Sequence, residues 1–192
     1  MIKPSEILAR IQQQLGPDVV SASSISVAAP TDGREGGIHF WIAVPPESWP
    51  PVARFLKEDP ILRMSWLRCL TGLDYPDQKQ LCAAFDLMSF ELGHELCVKV
   101  FLPREKPVLA SVADVWRAAE WHEREAYDLL GIVFTSNPDS VTDEFGTHPR
   151  RLLLPDDWQG YPLRKDYVFP REYHGTPGSV ELDWAQKPVY PK

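Results

Sequence analysis

The segment ELCVKVFL, in which an aliphatic residue stands at every second position, constrains the fold of this 192-residue chain more than any other segment. The aliphatic positions of this segment are Leu96, Val98, Val100 and Leu102. A period of two over eight residues is typical of a β-strand that buries one face. Three further runs that suit strands precede it: IHFWIAV, MSWLRCLTGLDY and LCAAFDLMSF. The sequence therefore predicts an antiparallel or mixed sheet, with a hairpin turn at residues 92–94 before the alternating strand.

The longest helix is predicted from Asp114 to Leu130, where helix-favouring Ala, Glu, Arg and Leu predominate. Ser111 or Asp114 is expected to cap its start, and Gly131 is expected to close its end. Shorter amphipathic segments near the N-terminus and before Pro60 predict two more helices. After Phe134 the sequence shows no pattern that is typical of a helix or a strand.

These elements predict an α+β fold of two layers, with a mixed or mainly antiparallel sheet, helices on one face and a long irregular C-terminal extension. The predicted core domain covers residues 1–134. The extension over residues 135–192 is expected to hold an insertion loop, a docking arm and an extended tail. We use the name docking arm for residues 148–167, with the sequence HPRRLLLPDDWQGYPLRKDY.

Composition excludes several classes of protein. A net charge of −7 argues against a generic nucleic-acid binder, which needs a basic surface. Cys69, Cys82 and Cys97 form no CxxC pair, so we expect no iron–sulfur cluster or structural zinc on this chain, and three free thiols suit a reducing cytoplasm. We find no signal-peptide core and no window near the ~18–20 apolar residues that cross a bilayer.

The long helix carries acids that suggest two different interpretations. His122-Glu123 begins a zinc-binding HExxH motif, but Ala126 stands where the second histidine belongs, which disfavours a metal hydrolase. Glu125 and Asp128, with Glu123, could serve acid–base chemistry. The favoured alternative is an ion-paired, exposed helix face, since Arg124 lies four residues from both Glu120 and Asp128.

The docking arm is dense in Arg, Pro, Trp and Gly but lacks the period of a helix or strand. His148 with Arg150 and Arg151 could bind an anion, or these basic side chains could pair with acids elsewhere in the chain. Trp and Arg are the residues most enriched at interface hot spots. Pro162 fixes φ, and Gly160 permits the left-handed angles that a tight backbone can require. Because the chain has no nucleophile elbow and no Gly-rich phosphate loop, a rigid surface of this kind predicts docking to another protein.

Two motifs carry a resemblance to the thirty-kilodalton subunit family of respiratory complex I, whose bacterial members are called the C subunit. The first motif is Trp121, Glu123-Arg124-Glu125, Asp128 and Gly131-Ile132-x-Phe134. The second motif is Leu154-Pro155-Asp156-Asp157-Trp158-x-Gly160 with Pro162-Leu163-Arg164-Lys165-Asp166-Tyr167. The motifs span about fifty residues, whereas the first sixty residues resemble the family only loosely.

This resemblance implies a non-catalytic subunit of the peripheral arm of the proton-translocating NADH:quinone oxidoreductase. It implies a partner, the D subunit of forty-nine kilodaltons, which this chain would scaffold near the quinone-reducing end, on the cytoplasmic side of the membrane. It also implies that FMN, iron–sulfur clusters, NADH and quinone are bound by other subunits. The residues expected to dock partners are Glu123, Arg124, Glu125, Asp128, Arg150, Arg151, Asp156, Trp158, Gly160, Pro162, Leu163, Arg164, Lys165 and Asp166.

One departure from the family pattern is the stretch over residues 135–147, where the family runs almost directly into its His-Pro. We expect a surface loop there, because long insertions in loops cost little. After Tyr167 we expect a tail that is ordered only on a partner. Other hypotheses remain open: the equivalent subunit of a related membrane-bound hydrogenase or dehydrogenase, a stand-alone carboxylate enzyme, or a regulatory binding module.

Overall fold

A computed structural model describes residues 4–20, 22–27, 38–144, 146–170 and 172–177. Its main feature is a mixed five-stranded sheet of order β1-β2-β5-β4-β3. The strands are β1 Ala22–Val27, β2 Ile38–Ala43, β3 Trp66–Tyr75, β4 Gln80–Met88 and β5 Glu95–Pro103. β2 and β5 run parallel, and the other neighbours run antiparallel. The predicted α+β class with a mixed sheet is confirmed, although β1 was not predicted.

The alternation in β5 fixes which face of the sheet is buried. All four of its predicted apolar positions are at most 1% exposed. On β4 the buried residues Phe85 and Leu87 stand directly opposite Val98 and Leu96. Because the side chains alternate with a period of two, a slip of one residue would turn this entire apolar set to the other face. At the turn between β4 and β5, Gly93 takes the left-handed φ of +67° that a tight turn there requires.

Two helices contribute to the core beside this face: α1 Pro4–Leu15 and α2 Trp49–Glu58. Trp49 is fully buried, and its ring lies 4.2 Å from that of Phe85 on the sheet. Burial of a side chain of this size contributes roughly 1.5–3 kcal/mol. Arg10, in the middle of α1, pairs at 2.7 Å with the buried Asp59, which follows the end of α2, and so joins the two helices. No helix of the described part is long and apolar enough to cross a membrane.

The third helix, α3 Ala119–Leu130, is shorter than predicted. Residues 112–118 form turns, and the position before the helix makes no side-chain cap, so the predicted cap at Ser111 or Asp114 is wrong. The hydroxyl of Ser111 donates instead to the buried carboxylate of Glu123 at 2.6 Å. The predicted end is confirmed: Gly131 has φ +79°, and its N–H donates to the Tyr127 carbonyl at 2.7 Å.

Four small strands and a final hairpin were not predicted from the sequence. β6 Val108–Ala110 pairs in parallel with β7 Val133–Thr135, and β8 Ser140–Asp143 pairs with β9 Gly146–Pro149. The stretch over residues 135–147, predicted as a loop, is therefore largely a β-hairpin. Its cross-strand pair of Thr142 and Thr147 joins hydroxyls at 3.0 Å. β10 Glu172–Tyr173 and β11 Thr176–Pro177 form the last hairpin, which lies within the tail predicted after Tyr167. The part of that tail over residues 178–192 lies outside the described residues.

Candidate functional site

The docking arm is fixed to α3 by one buried carboxylate, that of Asp128. Its Oδ2 accepts hydrogen bonds from three consecutive backbone N–H groups, at 3.1, 2.7 and 2.8 Å: those of Leu152, Leu153 and Leu154. Its Oδ1 accepts a hydrogen bond from Arg151 at 2.8 Å. Hydrogen bonds to an ionised group are stronger than those between neutral groups. The backbone at the start of the arm therefore wraps around one charge.

Two arginines complete this attachment. Arg124 is 7% exposed and donates to the carbonyls of Arg150 and Arg151, each at 3.1 Å. Arg151 in turn donates to the Trp158 carbonyl at 3.0 Å. The predicted exposed ion pairs along α3 are wrong for Arg124, because its planar guanidinium reaches carbonyls of the arm and pairs with Asp139 at 3.0 Å.

Glu123 holds a second junction and is 0% exposed. Its carboxylate accepts from the Ser111 hydroxyl at 2.6 Å, the Val112 N–H at 2.9 Å and the Asn137 amide at 2.8 Å. Burial raises the pKa of this carboxyl above its ordinary value, although the three donors oppose the shift. Both oxygens are engaged internally. Glu123 therefore joins the chain after β6 to the chain after β7, where no substrate reaches it.

A third carboxylate, Asp74 on β3, holds the far end of the docking arm. It accepts from Arg104 at 2.8 and 3.0 Å and from the backbone N–H of Lys165 at 2.9 Å. Arg104 also bonds Asp166 at 2.5 Å. The hydrogen bonds from Arg104 lower the pKa of Asp74 below its ordinary value. The Arg164 guanidinium donates to the carbonyl of Leu130 at 2.8 Å and so satisfies an acceptor at the end of α3.

Two glycines allow rings of the arm to pack closely. A Cβ on Gly131 would lie 2.5 Å from the ring of Tyr161, and one on Gly160 would lie 2.7 Å from the ring of Tyr167. Gly160 also has a left-handed φ of +80°. The hydroxyl of Tyr167 donates to the Gln159 carbonyl at 3.0 Å. The predicted role of Gly160 in shaping the backbone is confirmed.

The basic residues at the start of the arm pair with carboxylates, which supports pairing within the chain over anion binding. His148 stacks on Tyr127 at 4.7 Å and bonds Asp143 at 2.9 Å. Arg150 pairs with Asp139 at 3.2 Å. Both acids belong to the stretch over residues 135–147. An anion would have to compete with these acids for His148 and Arg150, and with Asp128 for Arg151.

The predicted docking residues differ widely in exposure. The buried ones are Glu123, Arg124 and Asp128. The half-buried ones are Arg151, Trp158, Pro162 and Arg164. The exposed ones are Glu125, Arg150, Asp156, Gly160, Leu163, Lys165 and Asp166. The buried three contact their own chain in this structure, and the docking role of the fourteen residues stays a prediction.

The structure adds exposed apolar side chains that the sequence reasoning missed. Leu153 is 62% exposed, and Val168 and Phe169, just beyond the arm, are 84% and 63% exposed. Trp121 on α3 is 56% exposed, with the guanidinium of Arg124 at 4.9 Å from the ring centroid. In the sequence, the only sign that Leu153, Val168 and Phe169 are exposed is that they lie in a proline-containing segment without the periodicity of a helix or strand. Among the described residues, no group of three His, Cys, Asp or Glu is placed to hold a metal ion.

Comparisons with known proteins agree with one another. Residues 42–173 match the family model described as respiratory-chain NADH dehydrogenase, 30 Kd subunit. The C subunit of the NADH-quinone oxidoreductase of Chlorobium phaeobacteroides is 42% identical over 71% of this chain and 77% of that protein. The C subunit of Roseiflexus castenholzii is 36% identical over 95% of this chain and 94% of its own length. The solved trypsin-resistant fragment of Nqo5 is 26% identical, with a TM-score of 0.54 over 71% of this chain and 99% of that one.

Proposed function

The chain belongs to the thirty-kilodalton subunit family of respiratory-chain NADH dehydrogenases, and from this we propose that it is a non-catalytic subunit of the peripheral arm of a proton-translocating NADH:quinone oxidoreductase. We propose that it scaffolds the D subunit near the quinone-reducing end of the complex. The observation that carries the proposal is the anchoring of the docking arm by Asp128, which binds three consecutive backbone N–H groups and Arg151.

An arm anchored in this way favours tight association. Flexible segments lose conformational freedom when they bind, and this loss opposes binding. The contacts of Asp128 and Asp74 hold the docking arm near its two ends before any partner arrives. A preformed surface avoids most of that entropy cost. This supports a scaffold whose function is to hold a neighbour in position.

Apolar side chains are proposed to make the central contact with the D subunit. The exposed apolar residues in and just after the docking arm are Leu153, Leu163, Val168 and Phe169. The buried centres of interfaces are apolar, and charged residues are depleted there. Arg150 and Lys165, both exposed, fit the polar rim of such an interface.

Two of the three candidate acids of α3, Glu123 and Asp128, support a non-catalytic role. A general acid or base must reach the proton that it transfers. The carboxylates of Glu123 and Asp128 are fully buried, and each is engaged by internal donors. From the family membership we propose that FMN, iron–sulfur clusters, NADH and quinone are bound by other subunits. We further propose that the chain lies at the cytoplasmic face of the membrane through the complex alone.

Affinity purification of the tagged chain from detergent-solubilised native membranes tests the proposal. We expect the chain to bring down the D subunit and other subunits of an NADH:quinone oxidoreductase, with NADH-dependent quinone reduction in the purified material. Recovery of the chain free of any membrane complex would overturn the scaffold role. A stoichiometric metal or flavin on the purified chain, with turnover, would favour a stand-alone enzyme instead.

A further inference from the structure

A groove of about 810 Å³ lies between the β8–β9 hairpin and the docking arm. Its walls include the aromatic side chains Tyr127, Trp158 and Tyr161 and the acids Glu144 and Asp156. Pockets of roughly 300–1,000 Å³ hold ligands of many atoms, so this groove has room for several residues of a peptide. The groove is separate from the two carboxylates that hold the docking arm, because neither Asp128 nor Asp74 lines it.

The basic side chains that line the groove already have partners in the chain. Arg150 binds Asp139 at 3.2 Å, and Arg151 binds the fully buried Asp128 at 2.8 Å. His148 bonds Asp143 at 2.9 Å. An anionic guest would have to displace a carboxylate that belongs to the fold. The groove is therefore poorly suited to phosphate or to an acidic peptide.

The negative charges that line the groove are only partly paired. Asp157 accepts from the Tyr173 hydroxyl and from His174, each at 2.6 Å. Glu144 and Asp156 are exposed, and neither makes an ion pair or a hydrogen bond with the described part of the chain. Within that part, the groove therefore presents two unpaired carboxylates and no unpaired cation. Charge complementarity calls for a positively charged guest.

The chemistry of the walls narrows the kind of cation. Within the described part of the chain, no three Asp, Glu, His or Cys side chains lie close enough together to hold a metal ion. Trp158 offers an aromatic wall, and arginine and lysine bind such rings through cation–π contacts. The indole N–H of Trp158 is shielded and has no acceptor among the described residues. A backbone carbonyl of a peptide guest can supply that acceptor if the ring turns toward the groove.

We propose that this groove binds a segment of a neighbouring subunit that carries an arginine or lysine. Glu144 and Asp156 bind the cationic side chain, and Trp158 packs against it. The inference rests on the proposed function, since it assumes that the chain sits in a complex. It assigns the β8–β9 hairpin a role in partner recognition, because Glu144 follows directly on β8.

A double substitution that removes two charges tests the groove in the intact complex. Glu144→Gln with Asp156→Asn removes both unpaired carboxylates with little change in shape. The control, Asp77→Asn with Glu105→Gln, removes two exposed carboxylates that do not line the groove. Each variant is co-expressed with the wild-type chain under a different tag, and the ratio of the two chains is measured in the purified complex.

We expect the groove variant to be incorporated roughly threefold to tenfold less than wild type, as two partly exposed ion pairs allow. The control should match wild type, and the deficit should shrink as salt is raised. Equal incorporation of the groove variant and the control would overturn the proposal.

Photo-crosslinking identifies the guest. A benzoylphenylalanine is placed at position 144 in one variant and at position 163, on the exposed docking arm, in another. We expect position 144 to link to a peptide of another subunit that contains arginine or lysine. A link to a second copy of this chain, a link to a segment without a basic residue, or no link would each overturn the proposal. A link at position 163 alone would leave the proposed function standing, whereas absence of the chain from the complex would defeat both.

Discussion

The sheet and the docking arm are stabilised by different interactions. Strands β4 and β5 present a continuous row of fully buried apolar side chains to the core. Residues 150–167 contain no fully buried side chain, and that part of the arm is attached through hydrogen bonds and ion pairs to Asp128, Asp74 and the Leu130 carbonyl.

This difference bears directly on function. Apolar burial is non-directional, and it consumes the apolar surface that it uses. Charged hydrogen bonds are directional, and they fix a backbone without covering its apolar side chains. The docking arm can therefore be ordered in the free chain while Leu153 and Leu163 stay exposed for a partner.

The largest expected loss of stability comes from a substitution in the core of the sheet. Phe85→Ala should lower the free energy of unfolding of the whole chain by about 3–5 kcal/mol, because it leaves a cavity beside Trp49. Urea denaturation followed by circular dichroism measures the change. Phe101→Ala, at a half-buried position of β5, is the control and should cost less. Equal losses for the two variants would contradict the assignment of the core face.

Asp128→Asn is expected to act locally on the docking arm. It removes the charge that pairs with Arg151 and weakens the hydrogen bonds from three backbone N–H groups, at an expected cost of about 1–3 kcal/mol. Hydrogen exchange of the amides at 152–154 should accelerate, while exchange in β4 stays near wild type. Asp156→Asn, on an exposed carboxylate of the same arm, is the control. Acceleration throughout the sheet would mean that arm and core are one cooperative unit.

The contribution of Asp74 is expected to depend on pH in a defined direction. Because Arg104 lowers the pKa of Asp74 in the folded chain, its contribution is fully present above the ordinary value of 3.8 and is lost as pH falls through the lowered value. The stability difference between wild type and Asp74→Asn should be constant from neutral pH to about 3.8 and should then shrink. Thermal unfolding at several pH values measures it. A difference that shrinks already between about pH 7 and pH 5 would contradict the assignment.

The sheet was predictable because its information is local. The alternation of Leu96 to Leu102 and the runs before it state which residues face the core, whatever the rest of the chain does. The end of α3 was predictable for the same reason, since Gly131 is a local signal. The hairpin of β8 and β9 was missed because its strands are short and show no alternation.

The anchoring of the docking arm was not predictable, because its contacts are distant in sequence. Glu125 and Asp128 look equivalent in the sequence, yet one is exposed and the other is fully buried. Which acid is buried depends on how α3 is rotated against the arm, and no local pattern states that. Asp74 meets Lys165 from 91 residues away in the same way. The family motif covers α3 and the docking arm, but it does not state which of its residues face inward.

The most direct test of the account uses Leu163→Ser with Phe169→Ser, two exposed apolar positions in and just after the docking arm. The variant chain is measured twice: alone by thermal unfolding, and by its yield in the complex purified from membranes. The account predicts that the stability of the free chain changes by less than about 0.5 kcal/mol, because surface substitutions cost little, while incorporation into the complex falls sharply. Wild-type incorporation, or collapse of the free chain, would contradict the claim that these side chains are kept exposed for a partner.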